Sequence, residues 1–182
     1  MASIVSVEQI KGLAGGSTPN TISIPTGQTL YAPGHVVQVV HKDPAVDWSG
    51  ARWSSSSTSF SKGFMELTIT PKLANSLIII RANIMQYMGA SNAYLYHTLK
   101  RNVSGGSSTD LGLSTSGIVC NQLNSWNMQA IDYVDTPNTT SAITYEVWSR
   151  NHVSSGTSYV GWQGLSGAGH DQCFMELTEI AQ

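Results

Sequence analysis

From Gly34 onward the apolar residues tend to recur at every second position, the spacing of a half-buried strand. Leu77 to Gln86 is the longest such run, with Ile78, Ile80, Ala82 and Ile84 on one face. His35-Val36-Val37-Gln38-Val39-Val40 is β-branched and apolar. Phe64-Met65-Glu66-Leu67-Thr68-Ile69-Thr70 alternates, but Phe64 and Leu67 fit one strand only through a bulge or a switch of face. Further strands are expected over Tyr94 to Leu99, Ile118 to Leu123, Trp126 to Tyr133, Ala142 to Trp148, Tyr159 to Gln163 and Cys173 to Ile180. Turn-forming stretches such as Asn102-Val103-Ser104-Gly105-Gly106-Ser107 and Asp135-Thr136-Pro137-Asn138 separate them. About nine or ten short strands at this spacing predict an all-β protein, an antiparallel β-sandwich or jelly roll. The words Phe-Met-Glu-Leu-Thr occur at 64–68 and again at 174–178, without further alignment around them. They read as two strands in similar half-buried settings, not as a duplicated domain.

Residues 1–33 break the pattern. Ile4, Val7 and Ile10 share one face of a short helical segment ending at Gly12, and Gly15 to Asn20 is a loop signal. Thr21-Ile22-Ser23-Ile24 is a short strand closed by Pro25-Thr26-Gly27. The segment is too short for its own core, so it reads as an N-terminal arm beside a head formed by residues 34–182.

Composition sharpens this picture. Apolar residues make up 41% of the 182 positions, whereas charged residues make up 11%, against roughly 25% in ordinary domains. Disordered chains show the reverse balance. A formal net charge of −2 supplies no field to gather nucleic acid, so no nucleic-acid partner is expected. No apolar run nears the roughly 20 residues that span a bilayer, so membrane insertion is not expected. The first residues lack a basic start and a long apolar core, which points to synthesis in a cytoplasm without general export.

Scarcity of charge has a second consequence. Open sheet edges are usually guarded by lysines, prolines or bulges, yet Ala142 to Trp148 carries a single charge, Glu146. Leu77-Ile78-Ile79-Ile80 is apolar on both faces, whereas a simple sandwich buries only one. Each Leu or Ile left in water forgoes about 1.5–3 kcal/mol. Sister copies, or a loop of the same chain, would have to cover the second face.

Signals for chemistry are absent or broken. His35, His41, His97, His152 and His170 show no metal spacing. Cys120 and Cys173 form no CxxC; they read as buried thiols, and a disulfide requires neighbouring strands. Asp43 and Asp47, and Asp132 and Asp135, lie in expected loops without a dense DxDxDG run, so calcium is not expected. Gly112-Leu113-Ser114-Thr115-Ser116 lacks the second glycine of a nucleophile elbow, and Gly164-Leu165-Ser166-Gly167-Ala168 has it one place early. We therefore expect no enzyme, no catalytic residue, no cofactor and no metal. Five tryptophans remain as a lead. Trp48 and Trp53 flank a Ser-Gly turn and precede a serine run, which marks them as the candidate surface aromatics for sugar stacking. Trp126 and Trp148 sit on expected strands and read as core or interface.

Four stretches carry a family likeness. They are Tyr31-Ala32-Pro33-Gly34 leading into His35 to Val40; Ile69-Thr70-Pro71-Lys72 followed by Asn75-Ser76-Leu77-Ile78-Ile79; Asp135 to Tyr145, a Pro-Thr-Thr loop entering a strand; and the ending Leu177-Thr178-Glu179-Ile180-Ala181. In this order and spacing the chain resembles a family of short exterior virion proteins of phages, particularly phages of aquatic bacteria. Thr178 stands where that family usually has Met. Ile22 to Leu30 also looks like the strand-and-turn units of phage fibre shafts.

The resemblance implies a tail-fibre or adsorption-type protein on the particle exterior, a homotrimer in the manner of tumour-necrosis-factor-like jelly rolls. Its head would contact a host surface glycan or protein, with loops 101–117 and 153–170 at the tip. Residues 1–33 would attach to other virion proteins or form a trimer stalk. Capsid decoration is the alternative, favoured by the short chain, and a carbohydrate-binding module is a third.

Overall fold

A computed structural model describes residues 32–42, 53–88, 94–112, 116–122, 126–161 and 173–182. The chain divides into two units, Met1–Tyr31 and Ala32–Gln182; the expected arm, residues 1–33, lies outside the described residues except for Ala32 and Pro33.

The described residues of the second unit are all-β. Its strands are β1 (Val36–Lys42), β2 (Trp53–Ser55), β3 (Ser61–Ile69), β4 (Leu77–Met88), β5 (Tyr94–Val103), β6 (Ser108–Asp110), β7 (Val119–Gln122), β8 (Asn127–Asp135), β9 (Ile143–Asn151), β10 (Ser158–Val160) and β11 (Phe174–Ile180). One sheet runs β1-β11-β4-β10-β2, with β8 also on β4; the other runs β3-β9-β5-β6, with β7 also on β5. Every pairing is antiparallel.

Set aside the three-residue strands and a simple order appears. β1 pairs with β11, β3 with β9, β4 with β8 and β5 with β7. The first long strand thus meets the last, the second meets the next to last, and so on inward. That is one long hairpin rolled into two facing sheets, the jelly-roll winding.

All nine strands expected from Gly34 onward are present, with bounds shifted by a few residues; the short strand expected at Thr21 to Ile24 lies outside the described residues. The bulge expected in β3 is real: its register against β9 shifts between Lys62 and Glu66. The repeated words fall on β3 and β11, in opposite sheets, where Met65 and Leu67, and Met175 and Leu177, all point into the core. The expected strand with a single charge forms β9, which also takes in Arg150, and it is not an edge: it lies between β3 and β5. Its lack of guards follows from that position.

Between the sheets, Ile78, Ile80, Ala82 and Ile84 of β4 meet Leu67, Leu95, Leu99, Ile143 and Val147 within one buried cluster. Polar ties between the two sheets also enter the core. At one, Asp135 of β8 accepts both Arg101 of β5, at 2.9 and 3.0 Å, and the Tyr145 hydroxyl of β9, at 2.7 Å. Burial pushes the Tyr145 phenol strongly up, and the Asp135 carboxylate adds to this. At the other, Gln86 of β4 meets His97 of β5. The imidazole Nε2 donates to Gln86 Oε1, and Nδ1 lies 2.8 Å from the Ser149 hydroxyl. Burial holds this fully enclosed imidazole down at about 3, so it is neutral at ordinary pH.

A third polar anchor fixes the turn between β3 and β4. Glu179, on the inward side of β11, accepts the Lys72 and Leu73 backbone N–H groups at 2.9 and 3.0 Å, Ser76 Oγ at 2.8 Å and Gln38 Nε2 at 2.6 Å. Burial pushes this carboxyl up, but the donors outweigh it and hold it below the usual range. Gly117 has φ +68°, and a Cβ there would sit 2.2 Å from the His97 carbonyl oxygen, so the turn into β7 requires glycine.

Candidate interaction surface

The alternation that fills the core leaves a second set of side chains on the outer face of each sheet, and the two outer faces differ in kind. On the six-stranded sheet, register aligns Val39 of β1, Thr178 of β11, Ile79 of β4 and Val134 of β8 in one row. Val36 and Leu77 flank Ile180 at one end, and Phe174, Asn83 and Ala130 form a row on the other side. Among the described residues the exposed large hydrophobics are Val36 (53%), Val39 (50%), Met128 (39%), Val134 (55%) and Phe174 (37%). All five belong to this one face by register.

Between the apolar rows lies a charged one. Arg81 stands 3.6 Å from Asp132 and 3.8 Å from Glu176; these long, exposed pairs contribute little to stability. Farther along β4 the face turns aromatic. Tyr87 packs on Trp126 at 5.2 Å and on Tyr159 at 6.2 Å.

The outer face of the other sheet carries no exposed large aliphatic side chain among the described residues. Lys62 bridges Glu66 and Glu146 at 2.7 Å each, relieving the opposition of two like charges paired across β3 and β9. Hydrogen bonds to these carboxylates raise the Lys62 ammonium. For Glu146, burial pushes the carboxyl up, but Lys62 and the Trp148 indole N–H outweigh it and hold it down. Thr68 and Thr144 hydroxyls meet at 2.8 Å.

The expected surface aromatics need correction. Trp53 is 7% exposed and belongs to the core cluster; it lies on β2 opposite Val160, and its indole N–H donates to Ser61 Oγ at 3.1 Å. The serine run masked this because β2 alternates, turning Trp53 inward and Ser54 out. Trp48 lies outside the described residues. Trp148 is half-buried on the outer face, with the Lys100 ammonium 3.7 Å from its ring centre. Asp132 and Asp135 are not loop residues but occupy opposite faces of β8, one exposed beside Arg81 and one buried. That separation removes them as a calcium pair. Asp43, Asp47 and His170 are outside the described residues, and among those described no group of three His, Cys, Asp or Glu is placed to hold a metal. Cys173 is buried beside the Met85 backbone N–H, 3.2 Å from its Sγ, while Cys120 is on β7 of the other sheet, so their strands are not neighbours.

Compared by sequence, the chain matches no protein-family model and no curated protein. Among solved structures it is similar to VP2 of infectious bursal disease virus in its subviral particle. There the identity is 13% and the TM-score 0.45, with 88% of this chain and 41% of that chain covered. VP2 from T=1 particles gives 11% identity and a TM-score of 0.44, again over 88% of this chain and 40% of the other. A mitogen from Yersinia pseudotuberculosis aligns at 16% identity and a TM-score of 0.28, over 67% of this chain and 88% of its own. This chain spans about two fifths of the length of the VP2 chains.

Proposed function

We propose that this protein is a structural component on the exterior of a bacteriophage particle, a tail-fibre or adsorption-type protein that assembles as a homotrimer. Residues 1–33 join it to other virion proteins, and the sandwich contacts the host. Its role is binding and architecture, without catalysis. The observation that carries this reading is the gathering on one sheet face of all five large hydrophobics that are exposed among the described residues. A face of that kind is stable in water when covered. A second copy is the fitting cover, because the row of Glu176, Arg81 and Asp132 holds both signs and sister copies can exchange ion pairs across it. The motifs running from Tyr31 to Ala181 support the phage setting.

Light scattering on the purified chain at about 10 μM is expected to give the mass of three copies. Replacing Val39 and Val134 together with Asp is expected to weaken assembly at least tenfold, at least 1.4 kcal/mol, while circular dichroism remains that of a β-protein. A monodisperse single chain for the unaltered protein sinks the proposal. Copy number per purified particle then separates a tail component, present in tens or fewer, from a capsid decoration present in hundreds.

A further inference from the structure

The other outer face, on the sheet of β3, β9 and β5, has a composition suited to a different partner. Tyr94 and Tyr96 are two apart on β5 and so share that face, their ring centres 6.3 Å apart. Arg150 of β9 is the cross-strand partner of Tyr96, and its guanidinium carbon lies 4.1 Å from the centre of that ring and 5.3 Å from Phe60. His152 is exposed just beyond β9. It meets Tyr94 edge-on at 5.4 Å, stacks on Tyr96 at 6.0 Å and places Nδ1 3.0 Å from the Tyr96 hydroxyl. Trp148, with Lys100 above it, continues the strip along β9.

We propose that this strip binds an acidic glycan, a sugar chain bearing carboxylates, through Tyr94, Tyr96, Arg150 and His152. Aromatic rings with polar rims offer the C–H faces of a sugar a stacking surface and its hydroxyls a hydrogen-bond partner. Packing Arg150 against Tyr96 fixes the direction of its charge. Arg150 sets a positive charge at the Tyr96 end, while the carboxylates of this face lie toward Trp148 and Lys100: Glu66 and Glu146 are held by Lys62, and Asp110, opposite Lys100, accepts the Thr98 hydroxyl. An anion is therefore drawn to the guanidinium rather than to the Trp148 end. Among the described residues, the absence of exposed large aliphatic side chains here distinguishes the strip from the self-association face. This site deepens the host-contact role proposed above and rests on it for its biological setting.

The test is an array of acidic and neutral oligosaccharides from bacterial capsules and lipopolysaccharides, probed with the full chain. Retention of at least one carboxylate-bearing sugar is expected, with neutral counterparts bound at least tenfold less. Tyr96→Ala is expected to weaken that binding about tenfold, Tyr96→Phe much less, and Trp53→Phe, a core change, not at all. Thermal melting checks that each variant is folded. Binding of no acidic sugar, equal binding of neutral sugars, or indifference to Tyr96→Ala by a folded chain overturns the proposal. Particle association is measured separately: a chain that binds acidic sugars yet is absent from particles keeps the site and loses the virion role. A particle-borne chain that binds none does the opposite.

Discussion

Replacing Glu179 with alanine is expected to lower the unfolding free energy by about 4 kcal/mol, measured by urea denaturation at neutral pH. The carboxylate satisfies two backbone N–H groups, a hydroxyl and an amide at once. Hydrogen bonds to charged groups contribute about 1.5–3 kcal/mol each, and buried donors left without an acceptor cost about 1–3. The full sum is not expected, because a loosened turn between β3 and β4 admits water to Lys72 and Leu73. Glu179→Gln keeps the shape but turns an NH2 group toward at least one N–H, and about 2 kcal/mol is expected. An alanine variant within 1 kcal/mol of the unaltered chain would show that the turn holds without its anchor.

Acid should loosen the sandwich well above the pH at which carboxylates usually titrate. The His97 imidazole has an ordinary value of 6.5 and is held at about 3 in the folded chain, by burial. Between those values the unfolded chain binds a proton that the folded chain refuses. Stability is therefore complete above about 6.5 and falls as pH drops toward 3. The loss amounts to about 1 kcal/mol at pH 5.5 and about 3 at pH 4. Glu146 and Glu179, both held below 4.5, lose their contribution only as pH falls through that lower range. The interval from pH 7 to 5.5 lies above their range, and His97→Gln should remove most of the slope there. Melting temperatures that stay level from pH 7 to 5.5 in the unaltered chain would refute the role given to His97.

Alternation made the strands legible in the sequence, and the β3 bulge was legible because Phe64 and Leu67 conflict with the period of two. The winding was less so. Nothing local in Phe174 to Ile180 says that it inserts between strands as distant as β1 and β4; register is chosen by the complete core. The short β2 and β6, each three residues long, escaped because three residues carry no periodic signal. Trp53 was misplaced for a related reason: serines around a tryptophan resemble a solvated loop, and only its pairing with β10 reveals the inward turn. The aromatic strip was hidden most deeply. Tyr94 and Tyr96 stand near each other in sequence, but Arg150 and His152 join them only through the pairing of β5 with β9. His97 looked like one scattered histidine among five, since a single sequence does not show that its neighbours come from two sheets.

The rolled hairpin also sets when the molecule can take shape. Gln38 and Glu179 touch across 141 residues of chain, and β11 fills the slot between β1 and β4. While residues 174–180 are still within the ribosome, that slot stays empty and both of its walls offer unpaired backbone groups. Closure of so distant a pairing is slow compared with helix or hairpin formation. The sheet of a growing polypeptide thus stays open until β11 has emerged and paired with both walls. Conditions that slow this insertion, such as chilling or a weakened β11, should divert newborn chains into aggregates.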